Sequence, residues 1–209
     1  MRPRALLGCA LITTTGTCTA VSVRPPAVPD GFYVPYFAYG SNINSNTLTK
    51  RRGIAPTRTA PATAQNFKLN FDVPGFSTTE PAFASIAQHP NAITHGLLCV
   101  LKPADWVRLC ASEGVPFAYK PIPLRVMQYD GVPVQAWSLQ YARPASRSTS
   151  QSRRPSRRYL DIIREGARES HLDETWIAHL DSIEHTGTEA FPSRRIVRDY
   201  EQRVGATFI

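Results

Sequence analysis

Cysteine and long apolar runs are scarce in this sequence, and each shortage removes a class of protein. Its four cysteines, Cys9, Cys18, Cys99 and Cys110, form no CxxC pair and have no histidines at zinc spacing. That argues against a disulfide framework and against a structural metal site. No run approaches the roughly 18 to 20 apolar residues that a membrane-spanning helix requires. Internal repeats are lacking too, which removes solenoids and propellers. The five histidines, His89, His95, His171, His179 and His185, form no constellation, and His171, His179 and His185 sit among acidic residues like ordinary surface side chains. No metal or cofactor is therefore expected.

Acidic residues are missing from the start of the chain, where Asp30 is the first. Arg2 and Arg4, an apolar stretch from Ala5 to Ile12 and several threonines make residues 1–30 read as a targeting segment. A secretory signal and an organellar transit peptide both fit, and without either the chain reads as cytoplasmic. Arg24-Pro25-Pro26-Ala27-Val28-Pro29 then forms a stiff linker. Residues 31–185 are expected to make one domain with a single core. Residues 186–209 form a C-terminal extension.

The formal charge is +8, from 24 basic and 16 acidic residues. Spread over one face, such an excess would attract a polyanion. It lies instead in Arg2, Arg4 and Arg24 and in Arg143, Arg147, Arg153, Arg154, Arg157 and Arg158, in or beside a Ser-rich stretch at 142–156. That stretch contains little that can be buried and reads as a flexible, solvated loop. Nucleic acid is not expected as a partner. An RNA-binding protein would show salt-sensitive affinity that vanishes on deleting residues 142–158.

Tyr36 to Tyr39 reads as a buried strand stopped by Gly40, followed by a short, basic-ended helix capped by Asn44 or Ser45 and closed by Gly53. Further strands are predicted at 66–71, 82–88 and 95–101. Pro103 opens a short helix through Cys110 that ends at Gly114. Runs at 120–129 and 132–141 flank Asp130-Gly131, which suits a two-residue hairpin turn, and Pro121 and Pro123 place the first run at an edge. Ser156 can cap a helix carrying Tyr159, Ile162, Ile163, Gly166 and Ala167 on one stripe. A second helix has Leu172, Trp176, Ile177, Leu180 and Ile183 on one face, and Ile196, Tyr200 and Val204 align on a third. Cys99 and Cys110 read as small buried hydrophobes.

Two segments carry chemistry. In Tyr36-Phe-Ala-Tyr-Gly-Ser-Asn42, a glycine directly after a buried strand permits a tight turn, so that the amides of Gly40, Ser41 and Asn42 converge as an anion-binding nest. An ordinary Gly-Ser-Asn turn is the alternative. In Glu113-Gly-Val-Pro-Phe-Ala-Tyr119, the glutamate lies between a helix bearing Trp106, Val107, Leu109 and Cys110 and an apolar run. No lysine or arginine stands within four positions on either side. Desolvation there would raise its pKa and suit it to proton transfer near neutrality. The alternative is a helix-terminal glutamate in water.

These two segments, in this order and spacing, resemble the γ-glutamyl cyclotransferases. The resemblance extends through Phe67-Lys-Leu-Asn-Phe71, His95-Gly96, the hairpin and Pro155-Ser-Arg-Arg-Tyr159, covering residues 34–183. It implies an α/β (α+β) fold in which a small mixed β-barrel, flanked by helices, holds a cavity. It also implies an enzyme of lyase and acyltransferase chemistry in glutathione metabolism, one that cyclises γ-glutamyl amino acids or amines to 5-oxoproline and releases the amine. By the same resemblance Glu113 is the catalytic acid/base, Tyr39, Gly40, Ser41 and Asn42 bind the glutamyl part, and Tyr119 and Tyr159 line the cavity. Trp137 stands near where the family carries a tyrosine.

The expected partner is a small γ-glutamyl molecule, and the oligomeric state stays open between monomer and homodimer. A glutathione-specific enzyme of this chemistry is one alternative, though its Tyr-Gly-Ser turn usually continues with an aliphatic residue where this chain has Asn42. An enzyme for a specialised γ-glutamylated metabolite is another. A non-catalytic binding module with the same fold is a third, because a fold alone does not establish function.

Overall fold

A computed structural model describes residues 32–76, 79–143 and 153–187. The targeting segment and linker, most of the Arg/Ser-rich stretch, and the helix expected around Ile196, Tyr200 and Val204 lie outside the described residues. Five strands close into a barrel: β1 (Val34–Ala38), β2 (Arg58–Phe76), β3 (Glu80–Leu101), β4 (Tyr119–Gln128) and β5 (Pro133–Tyr141). Around the barrel the order is β1-β3-β2-β4-β5. Neighbours pair antiparallel, except that β5 returns to β1 in parallel, with Trp137 opposite Tyr36. This is the small mixed barrel that the family resemblance implies.

The strands expected at 66–71, 82–88 and 95–101 are parts of one long β2–β3 hairpin. The punctuation between 88 and 95 marks a bulge rather than a strand end, whereas that between 71 and 82 contains the turn from β2 to β3. Asn66 and Asn91 both adopt positive φ, at 60° and 64°, and the register slips between Gln65 and Phe67. The Asn91 amide donates to Asn66 Oδ1 at 3.1 Å. Asparagine tolerates the left-handed region better than most residues, and a bulge lets the ladder bend without ending.

The β4–β5 hairpin forms as expected, but its turn is longer than the two-residue form. Met127 pairs with Pro133, the Gln128 amide donates to Val132 O at 3.0 Å, and Gly131 alone takes a positive φ, 86°. Asp130 does not adopt one. Its carboxylate instead accepts from the Val132 amide at 3.1 Å, as aspartate commonly does in a turn. β4 meets β2 only at Val126–Gln128, so Pro121 and Pro123 sit where the strand has β5 as its single neighbour.

Three helices pack on the barrel: α1 (Pro103–Ser112), α2 (Arg157–Glu169) and α3 (Glu174–Ser182). α1 starts on proline and buries Trp106, Leu109 and Cys110. Glu113 caps its C-terminus, and Gly114 turns the chain away at φ 65°. Ser156 caps α2 by accepting from the Tyr159 amide at 3.0 Å. The buried stripe of α2 is Tyr159, Leu160, Ile163, Gly166 and Ala167, so Leu160 belongs to it and Ile162 is only half-buried. α3 buries Trp176, Ile177 and Leu180, and His95 of β3 stacks on Trp176 with centroids 5.2 Å apart. Each such fully buried aliphatic side chain contributes about 1.5–3 kcal/mol over exposure, and one continuous core joins barrel and helices.

One expectation about charge is corrected. Arg158 is not a solvated arginine, because its Nε donates to the buried carboxylate of Glu80 at 2.6 Å. Ser156 Oγ donates to the same carboxylate. Together they anchor the start of α2 to the start of β3. The Arg153 backbone amide donates to Phe71 O at 2.9 Å, while the residue stays exposed as expected.

Candidate active site

The short, basic-ended helix expected after Gly40 forms between β1 and β2, but wider than an α-helix and preceded by a separate turn. Ser41–Ile43 is a single 3₁₀ turn, and Asn46–Arg51 is a wide turn in which the Arg52 amide reaches Thr47 O at 3.2 Å. Asn44 caps it by accepting from the Thr47 amide at 3.1 Å, and Gly53 closes it at φ 64°. Gly40 itself has φ −110°, so no left-handed backbone calls for a glycine here. Its small size matters for contact instead, since a Cβ there would lie 3.2 Å from Ala84 Cβ and 3.4 Å from the Tyr159 hydroxyl. No side chain caps the Ser41 turn, which leaves its leading amides without the usual capping partner.

This turn and the end of α1 meet at a small cavity lined by Tyr36, Tyr39, Gly40, Ser41, Asn42, Ala84, Glu113, Tyr119 and Leu139. Glu113 therefore comes into direct contact with the turn: Asn42 Nδ2 donates to its Oε1 at 2.8 Å and to the Tyr36 hydroxyl at 3.1 Å. The Glu113 side chain is 14% exposed, so it stands neither in bulk water nor sealed away.

The surroundings of Glu113 differ from those expected from its chain neighbours. Arg52, 5% exposed, places Nη2 at 2.8 Å from Oε1 and donates from Nη1 to Ser112 Oγ at 2.5 Å. The apolar, cation-free setting read from nearby residues thus holds a buried ion pair from a distant one. Arg52 Nε and Asn42 Oδ1 are buried without a hydrogen-bond partner. Arg52 looked like the basic end of a short helix, and no local signal in the sequence distinguishes it from Arg51.

Tyrosines form the rest of the wall. The Tyr39 hydroxyl donates to Leu139 O, and the Tyr119 hydroxyl donates to Ala84 O at 2.8 Å. Tyr159 stands behind Gly40, accepting from the Ala84 amide at 3.2 Å and packing edge-on against Phe83. Burial raises the pKa of Tyr36, Tyr39, Tyr119 and Tyr159, with the charge of Glu113 pushing the same way, and Tyr159 is carried to about 12. All four are neutral hydroxyls at physiological pH. Tyr36, Ala84 and Leu139 were not singled out as wall residues from sequence. Trp137 packs against Trp106, with centroids 6.5 Å apart, and is not among the residues lining the cavity. Cys99 and Cys110 are buried, as expected, and burial lifts both thiols to about 12.

The model of the AIG2-like family matches residues 94–180, which include the helix end that carries Glu113. A solved structure titled γ-glutamyl cyclotransferase superimposes with a TM-score of 0.67 at 26% identity, covering 82% of this chain and 99% of that one. The γ-glutamylcyclotransferase of Bos taurus is 30% identical over 159 residues, 74% of this chain and 81% of its own length. The γ-glutamyl cyclotransferase aclK of Aspergillus oryzae is 30% identical over 161 residues, but the chain spans only 59% of that relative's length. The chain belongs to the γ-glutamylcyclotransferase family.

Proposed function

We propose that this chain catalyses the intramolecular cyclisation of γ-glutamyl amino acids or amines, releasing 5-oxoproline and the free amine. The observation that carries the reading is the 2.8 Å contact between Asn42 and Glu113 in a cavity lined by both. A small ligand gripped by the turn at 39–42 would meet a proton acceptor within hydrogen-bond reach, as general acid–base catalysis requires. The names of the relatives support the same chemistry.

In this reading the substrate supplies its own nucleophile, and the protein's first task is to fold it so that the α-nitrogen faces the γ-carbonyl carbon. Glu113 takes a proton from the α-ammonium group, and the freed amine attacks, forming the ring C–N bond and a tetrahedral intermediate. The amides of Ser41 and Asn42 are donors for the developing oxyanion or for the substrate carboxylate. The ring nitrogen, which still bears two hydrogens after attack, loses one of them to solvent, and collapse breaks the original C–N bond as Glu113 returns its proton to the departing amine. No other reactant is consumed. Tyr39, Tyr119 and Tyr159 give the glutamyl part a neutral, hydroxyl-bearing wall.

A panel containing γ-glutamyl-alanine, other γ-glutamyl dipeptides and glutathione tests the proposal with purified full-length protein. Release of 5-oxoproline from a dipeptide supports it, and preference for glutathione would move the chain to the glutathione-specific alternative. Failure to release 5-oxoproline from any of them, with binding retained, would favour a non-catalytic module.

A further inference from the structure

Glu113 is gripped through one oxygen only. Asn42 Nδ2 and Arg52 Nη2 each lie 2.8 Å from Oε1, and Oε2 accepts no hydrogen bond from the described residues. An ionised carboxylate offers lone pairs on both oxygens. Two donors at this distance, one of them charged, engage Oε1 strongly and leave Oε2 as the atom available to a ligand.

Arg52 is an expensive way to make that contact. Its side chain is 5% exposed and its Nε is buried with no partner, and burying a cation with an unmet donor costs stability. Its fork spans two consecutive residues at the end of α1, Nη1 on Ser112 Oγ at 2.5 Å and Nη2 on Glu113. Ser112 in turn donates to Leu109 O at 2.9 Å, so the guanidinium is referenced to the helix itself. The backbone delivering it is fixed by the bonds from Arg52 N to Thr47 O and from Gly53 N to Thr49 O. A planar, two-pronged donor suits this task where a lysine, a single flexible point of charge, does not.

We infer that Arg52 is a positioning residue, which by clamping Oε1 against Ser112 selects Oε2 of Glu113 as the oxygen that exchanges protons with substrate. The inference rests on the acid–base reading of Glu113 given above. Oε2 removes one proton from the α-ammonium nitrogen and later delivers it to the leaving amine nitrogen, the second proton of the ring nitrogen passes to solvent as the lactam forms, and Arg52 is unchanged throughout.

The test compares Arg52→Gln, Arg52→Lys and Glu113→Gln in the full chain, by steady-state release of 5-oxoproline from γ-glutamyl-alanine and by crystal structures. Arg52→Gln is expected to lower kcat about 100-fold, the scale on which small misplacements of reacting groups act, with KM held within about threefold. Arg52→Lys recovers part of the loss. In crystals of Arg52→Gln the Glu113 carboxylate is expected to turn away from Asn42. A kcat within about threefold of wild type, a loss confined to KM, or an unmoved carboxylate overturns the inference. If Arg52→Gln does not fold, a wild-type kcat in Arg52→Lys overturns it. Full activity in Glu113→Gln would sink the acid–base reading itself, whereas an inactive Glu113→Gln beside a fully active Arg52→Gln would sink the positioning role alone.

Discussion

Tyr119 and Tyr159 hold the two backbone groups of the same residue: the Tyr119 hydroxyl donates to Ala84 O at 2.8 Å, and the Ala84 amide donates to the Tyr159 hydroxyl at 3.2 Å. Ala84 also packs directly against Gly40, so the two tyrosines set the distance between β3 and the turn. Tyr159→Phe strands a buried N–H and is expected to cost about 1–3 kcal/mol. Tyr119→Phe leaves a carbonyl under-satisfied, which proteins tolerate better, and is expected to cost less. Urea denaturation of both variants checks the ranking, and the reverse order would count against this account.

Glu113→Gln keeps the size of the side chain and an oxygen for Asn42 and Arg52, so it is expected to fold like the wild type. It removes the proton acceptor. General acid–base catalysis is worth roughly 10²- to 10⁴-fold, and 5-oxoproline release is expected to fall by at least the lower figure. Retention of more than about a tenth of wild-type activity contradicts the assignment.

Gly166 lets α2 lie directly on the turn that carries the cavity residues. A Cβ at that position would stand 2.5 Å from Asn44 N and 2.7 Å from Asn44 Cα, both backbone atoms that cannot swing aside. Alanine is the better helix former by about 1 kcal/mol, yet overpacking of this kind costs about 1–3 kcal/mol. Gly166→Ala is therefore expected to lower both stability and kcat. Gly40→Ala meets only the Ala84 methyl at 3.2 Å and the Tyr159 hydroxyl at 3.4 Å, and should be the milder change in a thermal melt. Equal stability of Gly166→Ala and wild type would show that α2 can lift without consequence.

The buried tyrosines also make alkaline pH destabilising. Their pKa values are raised in the folded chain, with Tyr159 at about 12, whereas in the unfolded chain tyrosine titrates near about 10. Above that value the unfolded state has released protons that the folded state still holds, so unfolding becomes more favourable as pH rises. This part of the stability is complete below about pH 10 and is lost progressively through pH 12. Replacing Tyr159 with phenylalanine should flatten that slope in denaturant titrations at pH 9 to 12, and an unchanged slope would speak against a buried phenol.

Local chemistry made the turn at 39–42 and the glutamate at 113 legible from sequence. A glycine at a strand end and an acid at a helix end followed by Gly114 are signals carried by adjacent residues. The barrel hairpin at Gly131 and the Ser156 cap were readable for the same reason. Arg52 was not, since its meaning lies in Ser112 and Glu113, about 60 positions later, and nothing near it in the chain marks it as buried. The long β2–β3 hairpin was broken into pieces because Asn66 and Asn91 carry the composition of a turn. Only their pairing across the two strands reveals a bulge.

The barrel is sealed by the single parallel register between Tyr36 and Trp137, and the cavity opens beside that seam. Its walls come from the first strand, from the third at Ala84, from the fourth at Tyr119 and from the fifth at Leu139, and Tyr159 of α2 holds the Ala84 amide in place. A nascent chain accordingly has no closed cavity until the ends of the sheet have met, a contact of high sequence separation that tends to form slowly. Truncated forms ending before α2 would carry the turn and its glutamate yet lack the hydroxyl that holds the Ala84 amide.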